Sequence, residues 1–401
     1  METLRFLMVS SHYPPRHLGG DAVMVQYLSE ELAKRGHEVH VLHDPAIYSL
    51  VRESSNSVQQ KKGFGPAIHT VDSKESHTRV LLSLSFGLSG KARERLNGLC
   101  RELRIDCVHW HNTKGFIGRP YAFDGKPTLY TAHDYYLVCP RSNLARPDMS
   151  FCQKPFLCQS CLLRWKKPPQ LWRIGSRRVI ELEQAIRMIA PSEFMARRLR
   201  LDGLSGAHLL RNFVPDVAPT DSVGGDHIVY MGMLEPHKGP ETLLNAFGRS
   251  RNLQGFKLHI IGDGSLREQL RRSVKDMGLT ERVNVPGFLP RGDATAILGG
   301  STAMVVPSEW PENAPLTVLE SLSMGVPVIS SDSGGLPEII GPDCGSATFK
   351  SGNADELAQR IVTFWENRDH MMSARRKARL AYEHNFSPDA HIARYMGLIH
   401  G

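Results

Sequence analysis

Short apolar runs alternate with amphipathic stretches through the first half of the chain. Residues 4–9 form a mostly apolar run, which predicts a buried strand. Apolar residues recur at helical spacing over residues 22–35, and Gly36 ends this pattern before a second apolar run at residues 39–42. A strand, a helix and a strand in this order predict a βαβ unit with parallel strands. Similar patterns predict strands at 107–110, 128–131 and 187–190 and a helix at 176–187.

A second series of the same kind follows a stretch rich in proline, glycine and polar residues. That stretch, residues 214–226, is the predicted linker. Beyond it the pattern predicts strands at 228–232, 257–261, 283–285, 303–306 and 326–329, with helices at 240–249, 265–277, 294–298 and 316–324. The chain is therefore predicted to be α/β, with two tandem doubly wound domains. Because such sheets bind ligands beyond the carboxyl ends of their strands, we expect a cleft between the two domains.

Composition places the chain among folded globular proteins. Its 401 residues are 41% hydrophobic and 22% charged, which excludes a disordered chain, a coiled coil and a disulfide-stapled miniprotein. It has no run of about 18 uncharged apolar residues, and its apolar start is shorter than a signal-peptide core. We therefore expect a cytoplasmic location.

Charge is distributed unevenly between the two halves. Residues 1–218 hold 31 Lys and Arg against 20 Asp and Glu, whereas residues 219–401 hold 18 against 21. Within residues 141–200 there are 13 basic and 4 acidic residues, with Trp165 and Trp172 among them. This mixture is typical of contact with an anionic surface or ligand, and a solvated basic face is the alternative.

The segment 307–329 carries the most specific motif of the chain. Glu312 lies in a loop before a predicted helix, and Glu320 lies eight residues later within that helix. A helix that begins near Leu316 directs its N-terminal amides at the loop, which favours the binding of a diphosphate. Glu312 can then hold sugar hydroxyls, and Glu320 can accept hydrogen bonds from ribose hydroxyls.

This motif resembles the donor-binding signature of the retaining family 4 glycosyltransferases, and the likeness covers nearly the whole chain. The resemblance implies the GT-B architecture of two facing Rossmann-like domains. It implies an acceptor-side domain at 1–218, a donor domain at 219–375, and helices at 376–401 that cross back to the first domain. The implied reaction moves a sugar from a nucleotide-diphosphate sugar to a hydroxyl of a glycan or lipid-linked glycan, with retention of configuration, in the synthesis of a bacterial surface polysaccharide.

The resemblance also assigns residues to the donor. Lys238 matches one of the two basic residues with which the family holds the diphosphate, but the other position is Met233 here, which cannot donate a hydrogen bond. Weaker donor binding, another compensating cation and a different leaving group all remain open. The residues assigned to the donor and nucleotide are Gly19, Gly20, Gly232, Lys238, Gly262, Gly264, Phe288, Asn313, Ala314, Leu316, Thr317 and Glu320.

Catalysis is assigned by the same resemblance to His133, Glu312 and Lys238. The segment 130–136 is similar to one whose histidine approaches the donor sugar, and His111 and Asn112 end another strand on the acceptor side. The family mechanism is a front-face displacement that needs no protein nucleophile, only stabilisation of the leaving diphosphate. No Asp-x-Asp cluster follows a strand, so no catalytic divalent metal is expected.

A cysteine-rich basic insertion at about 139–178 forms part of the first domain. Four cysteines within it could hold a structural zinc ion or an iron–sulfur cluster. The Cys158-x-x-Cys161 pair has the short spacing of zinc sites, whereas the Cys139–Cys152 spacing is less typical, and reduced or redox-active thiols are the alternative. Basic residues mixed with tryptophan at 164–173, together with Arg177 and Arg178, suit an anionic membrane surface, so a peripheral membrane association is plausible. The four cysteines are Cys139, Cys152, Cys158 and Cys161.

Three other functions stay open at this stage. A nucleic-acid-binding protein would use the cysteine cluster and the basic first half, but it would leave the Glu312 motif of the acidic second half without a role, so no nucleic acid is expected. A nucleotide-sugar epimerase on the same scaffold would bind the same donor without an acceptor. Met233 also leaves open a catalytically weak transferase homologue.

Overall fold

The computed structural model describes residues 2–16, 19–49, 65–71, 77–87, 90–123, 125–147, 150–153, 158–173, 186–218, 225–366 and 368–400. The chain divides into two compact units, Met1–Leu210 with Ile392–Gly401, and Arg211–His391. The division between the units therefore precedes the predicted boundary at 218–219. The predicted helix at 176–187 lies almost wholly outside the described residues, as do Arg177 and Arg178.

The first unit is built on a parallel sheet in the order β3-β2-β1-β4-β5-β6-β7. Its strands are β1 Arg5–Val9, β2 Glu38–His43, β3 Ala67–Thr70, β4 Cys107–Trp110, β5 Thr128–Thr131, β6 Arg187–Ala190 and β7 His208–Leu209. Strands β4 and β5 are buried along their whole length, as expected for a sheet covered by helices on both faces. The strand order reverses between β1 and β4, so ligands are expected at the carboxyl ends of these two strands.

Helices connect these strands. They are α1 Gly20–Lys34, α2 Pro45–Ser49, α3 His77–Phe86, α4 Gly90–Glu102, α5 Gln159–Arg164 and α6 Glu193–Leu201. Helix α1 begins directly after the loop that follows β1, at Gly19 and Gly20. Its first turn therefore lies beside the carboxyl ends of β1 and β4, where Asp21 meets Asn112.

The second unit has a parallel sheet in the order β10-β9-β8-β11-β12-β13. Its strands are β8 His227–Met231, β9 Lys257–Ile261, β10 Val283–Gly287, β11 Ala303–Val306, β12 Val328–Ser331 and β13 Ala347–Phe349. Its helices are α7 Pro240–Arg249, α8 Arg267–Asp276, α9 Arg291–Gly299, α10 Leu316–Ser323, α11 Leu336–Ile339, α12 Ala354–Glu366 and α13 Arg368–Asn385. The prediction of an α/β chain with two parallel sheets is confirmed.

The last helix, α14, spans Pro388–His400, and its residues from Ile392 onward belong to the first unit. The Tyr395 ring lies 6.2 Å from that of Phe6 on β1, and its hydroxyl hydrogen-bonds His109 on β4. Within the described ranges, no helix combines the length and the apolar character needed to span a bilayer.

Candidate functional site

Lys238 and Glu312 form an ion pair in the second unit. The Lys238 Nζ lies 2.6 Å from Glu312 Oε1, and the two side chains are 22% and 13% exposed. Ser308 donates its hydroxyl to the same carboxylate oxygen. Lys238 ends a short 3₁₀ turn, Pro236–Lys238, that follows β8, whereas Glu312 lies in the loop between β11 and α10. The fold thus joins two residues that lie 74 positions apart in the sequence.

The backbone of Glu312 is held by the loop that follows β12. Glu312 and Gly334 form a parallel bridge, and the Gly335 amide donates to the Glu312 carbonyl at 2.7 Å. Gly334 has φ +68°, and a Cβ at this position would overlap the backbone of Glu312. Only glycine allows this approach, which fixes the position of the carboxylate.

The glycines predicted to approach the donor pack against each other at the ends of β8 and β9. Gly262 has φ +145°, and a Cβ there would collide with the carbonyl oxygen of Gly232. The Gly232 amide donates to Ile261 at 3.0 Å, and Gly264 packs in the same way against Leu234. The structure therefore gives these glycines a packing role in bringing two strand ends together, and their contact with a donor stays a prediction.

Met233 and Phe288 both expose their side chains. Met233 is 48% and Phe288 is 77% exposed. Tyr230 donates its hydroxyl to the Met233 carbonyl at 2.6 Å, so the backbone of this turn is fixed while the thioether stays accessible. Burial of the neighbouring His237 imidazole lowers its pKa, and the Lys238 charge lowers it further. The Glu312 and Glu235 carboxylates act in the opposite direction.

Helix α10 presents its first turn to the loop that contains Glu312. Pro315 precedes the helix and makes no side-chain cap, so the first amides of the helix are not capped by that residue. Leu316 is buried and Thr317 half-buried. Ahead of the helix, the Ala314 carbonyl accepts from Asn212 at 3.3 Å, and Asn313 lies between it and Glu312.

Glu320, on the same helix, pairs with a residue that the sequence did not single out. Arg291 at the start of α9 donates to its Oε1 at 2.9 Å, with Glu320 12% and Arg291 54% exposed. A ribose at Glu320 would share this carboxylate with Arg291.

In the first unit, His133 and His111 lie together at the ends of β5 and β4. The His111 Nδ1 and the His133 Nε2 are 2.9 Å apart, and the two rings stack at 5.2 Å. His109 lies on the other side of His111, with ring centroids 3.9 Å apart. Its two nitrogens contact Thr131 Oγ1 at 2.8 Å and the Tyr395 hydroxyl at 2.9 Å. The candidate histidines are thus members of a longer polar chain that ends on α14.

The electrostatics of this chain favour neutral imidazole. Burial lowers the pKa of His133 to about 4, and the Asp21 carboxylate acts in the opposite direction. Asp21 accepts from the Asn112 side chain at 2.9 Å, which links the Gly19-Gly20 turn to the end of β4. A neutral His133 can donate one hydrogen bond and accept another, but at pH 7 it does not supply a positive charge.

The four cysteines lie close enough to affect each other's ionisation. Burial, together with the neighbouring thiolates of Cys139, Cys152 and Cys161, raises the pKa of Cys158 to about 12. Across the part of the chain that the structure describes, which includes all four, no three His, Cys, Asp or Glu side chains have an arrangement that could hold a metal ion. Zinc or a cluster at these cysteines therefore remains a prediction.

The basic segment after the cysteines uses its tryptophans for packing. The Trp172 indole donates to the Leu84 carbonyl at 2.9 Å, and the Arg141 guanidinium lies 3.5 Å from the centre of the Trp165 ring. Exposed apolar surface comes instead from Leu163 and Leu171, at 63% and 43%.

Sequence reasoning missed several residues at both sites. Ser308 stands within the motif, but its contact with Glu312 depends on the loop conformation. The other missed residues come close to the sites only through tertiary packing, and no local sequence pattern identifies them. They are Tyr230, Arg291 and His237 in the second unit, and Asp21, His109 and Tyr395 in the first.

Two family models match the chain, one on each side of the predicted linker. The model described as Glycosyltransferase Family 4 matches residues 18–216, and the model described as Glycosyl transferases group 1 matches residues 221–381. An uncharacterized glycosyltransferase of Methanocaldococcus jannaschii is 24% identical over 385 residues, which cover 93% of each chain.

Solved structures share the fold at low sequence identity. Sucrose-phosphate synthase from Thermosynechococcus elongatus aligns with a TM-score of 0.71 at 17% identity, over 99% of this chain and 98% of that one. Anabaena HepE in complex with UDP and glucose aligns with a TM-score of 0.66 at 16% identity, over 98% and 99%. With two parallel α/β sheets and matches to both family models, the chain belongs to the family 4 glycosyltransferases of the GT-B fold.

Proposed function

We propose that the protein transfers a sugar from a nucleotide-diphosphate sugar to a hydroxyl of a glycan or lipid-linked glycan, with retention of configuration. The observation that carries the proposal is the ion pair of Lys238 and Glu312 beside the first turn of α10. It combines a cation and helix amides, which suit a leaving diphosphate, with a carboxylate that accepts hydrogen bonds from sugar hydroxyls.

In this reaction the acceptor oxygen attacks the anomeric carbon on the face that the diphosphate leaves. The bond between the anomeric carbon and the phosphate oxygen breaks, and the proton of the acceptor hydroxyl passes to the departing diphosphate. The protein then contributes charge stabilisation rather than a nucleophile, and Lys238 and the α10 amides supply it. We assign to neutral His133 a hydrogen bond with a hydroxyl of the reacting sugar.

A UDP-sugar is the first donor to test. The Anabaena structure holds UDP and glucose, and it aligns with this chain over both units. Met233 leaves one position without the arginine of the family signature, so Lys238 carries the side-chain charge at this part of the proposed site.

Peripheral contact with an anionic membrane is part of the proposal. Leu163 and Leu171 expose apolar surface, and the side chains of Arg164, Lys166 and Lys167 between them are exposed. This pairing of apolar and basic groups suits an anionic lipid surface. We expect co-sedimentation with vesicles that contain anionic lipid but not with neutral vesicles, and weaker binding by Leu163→Asp.

The matched control is Leu201→Asp, on the exposed side of α6. Equal sedimentation of both variants with anionic vesicles would contradict membrane contact through this segment.

Proton NMR of the sugar released from the donor tests retention. With an α-linked donor, the first product should carry the α-anomeric signal before mutarotation, whether water or a glycan is the acceptor. A β-anomeric first product would contradict retention, and no release of sugar from any donor would contradict the transferase proposal.

A further inference from the structure

A cavity of about 550 Å³ lies in the first unit beside the candidate acceptor residues. Its walls come from the residues that follow β1, β4 and β5, from α1, α2 and α3, and from the cysteine-rich segment. It therefore lies at the carboxyl ends of three neighbouring strands, the position at which open parallel sheets bind ligands.

Three cations line this cavity, and none has an ion-pair partner among the residues that the structure describes. They are Lys114, Arg141 and Lys167. The Arg141 guanidinium lies 3.5 Å from the centre of the Trp165 ring, which orients it at the wall of the cavity. An oriented guanidinium suits a planar or tetrahedral oxyanion.

Lys114 adds a second charge from the end of β4. Its Nζ has one long hydrogen bond, to Ser142 Oγ at 3.4 Å, so most of its donor capacity is unused. Burial lowers the pKa of this ammonium group, and the Asp134 carboxylate acts in the opposite direction. A bound anion would compensate for the loss of water around it.

The two carboxylates of the cavity are already engaged within the protein. Asp21 accepts from Asn112, and Asp134 accepts from the Tyr136 amide at 2.8 Å. Among the Lys, Arg, Asp and Glu side chains of the lining, three cations face two carboxylates, a formal excess of one positive charge.

Part of the remaining wall of the cavity is apolar, and His12, Asn112 and Gln170 add polar side chains to it. Its apolar part comes from the buried side chains of Ile47, Val80 and Leu162, together with Leu84. A ligand that fills this volume therefore needs a negative group at one end and an apolar surface along its length.

We infer that this cavity binds an anionic acceptor, a glycan or glycolipid whose carboxylate or phosphate contacts Arg141 and Lys114 while its apolar part lies against Val80 and Leu162. The inference rests on the proposed function, because it names the substrate class of that acceptor. Asp21 and Asn112 then lie at the end of the cavity nearest to His133, where the reacting hydroxyl is bound.

Isothermal titration of the full chain without donor tests the inference. The probes are octyl glucuronide, octyl glucoside 6-phosphate and neutral octyl glucoside, all below their micellar concentrations. We expect at least one anionic probe to bind about tenfold or more tightly than octyl glucoside, and the preferred probe distinguishes a carboxylate from a phosphate. Equal binding of all three probes, or no binding of any, would overturn the inference.

Substitutions test which cation of the cavity gives the preference for an anionic probe. Arg141→Gln should reduce the preference for the anionic probe to within about twofold, and Arg141→Lys should restore part of it. Arg101→Gln, an exposed change on α4, is the matched control and should leave the preference unchanged. Should Arg141→Gln fail to fold, Lys167→Gln changes an exposed side chain of the same cavity and should lower the preference in the same direction.

Two further readouts separate anion binding by Arg141 from a role at the cysteines and from donor chemistry. Arg141 lies near the Cys139 and Cys161 thiols, so an Arg141→Gln protein that loses metal but keeps the anionic preference would assign Arg141 to the cysteines and overturn its acceptor role. Hydrolysis of nucleotide sugars, measured on the same samples, reports on the proposed function alone. Anion-selective binding without hydrolysis would support the cavity and contradict the transferase.

Discussion

In the Lys238–Glu312 ion pair, each side chain restricts the position of the other. At 2.6 Å and with both side chains mostly buried, the ammonium group is held beside the first turn of α10 before any donor arrives. Such preorganised charge is effective in catalysis because it needs no rearrangement as negative charge develops on the leaving group. In the proposed function, the Glu312 carboxylate also accepts hydrogen bonds from sugar hydroxyls.

Glu312→Gln keeps the size of the side chain and removes its charge. We expect kcat for donor hydrolysis to fall about 100-fold or more, because Lys238 loses its orienting partner and the sugar loses a charged acceptor. The melting temperature should change by a few degrees at most. The matched control is Glu281→Gln, an exposed carboxylate elsewhere in the second unit. Near-normal turnover in Glu312→Gln would show that Glu312 is not part of the donor site.

Met233→Arg restores the basic residue of the family signature. The Met233 side chain is 48% exposed and its backbone is fixed by Tyr230, so the fold should accept the change. We expect the donor diphosphate to bind as tightly as before or up to about tenfold more tightly, because a guanidinium donates charge-assisted hydrogen bonds to phosphate. Titration with UDP measures the effect, and Leu380→Arg, also exposed in this unit, is the control. A large loss of affinity for UDP would show that the donor binds at Met233 in a geometry different from that of the family signature.

Among the elements, the segment between β5 and β6 departs furthest from its sequence prediction. Basic and aromatic composition predicted lipid contact by Trp165 and Trp172, yet both rings pack against the protein. Composition cannot distinguish an exposed tryptophan from a packed one where no helix or strand period indicates which side faces inward. By contrast, apolar runs located the buried strands, because burial on both faces imposes that pattern directly. Strands β3, β7 and β13 were not predicted, because their residues are partly or wholly exposed and form no apolar run.

Metal analysis decides what the four cysteines do. The spacing of the cysteines predicts about one zinc ion or one iron–sulfur cluster per chain in protein purified without chelator, and binding would require the four side chains to come closer together than in the described structure. Cys158→Ser should lose the metal, whereas Cys344→Ser in the second unit should keep it. A metal content below about a tenth per chain would leave reduced thiols as the correct interpretation.

At the scale of the whole molecule, the sequence predicted both sheets but not the contacts that join distant segments. Tyr395 meets His109 across 286 positions, and Lys238 meets Glu312 across 74. For the second pair, a family motif marked both residues separately. For the first, nothing in the local pattern distinguishes Tyr395 from any other apolar position of the last helix, so only the folded structure shows its hydrogen bond.

Buried histidines make the stability of the molecule depend on pH. Burial lowers the pKa of His43 and of His133 to about 4 in each case. Between about pH 6.5 and pH 4 the unfolded chain binds protons at these histidines that the folded chain does not, so stability falls as the pH falls. We expect a loss of about 1 kcal/mol per histidine per pH unit in that range.

Urea unfolding at pH 7, 6 and 5 measures this slope. His43→Asn should lower stability overall but make its pH dependence shallower. A free energy of unfolding that stays constant or rises between pH 6.5 and pH 5 would contradict the burial of neutral histidines.

Binding of a nucleotide-diphosphate sugar by the second unit at Lys238 and Glu312 is tested most directly by a panel of donors. UDP-, GDP- and ADP-sugars are added to the purified protein, with the thermal shift and the release of free nucleotide as readouts. We expect one donor to raise the melting temperature by mass action and to be hydrolysed slowly, and both effects to fall in Lys238→Met. No thermal shift and no nucleotide release with any donor, or equal effects in Lys238→Met, would contradict this binding.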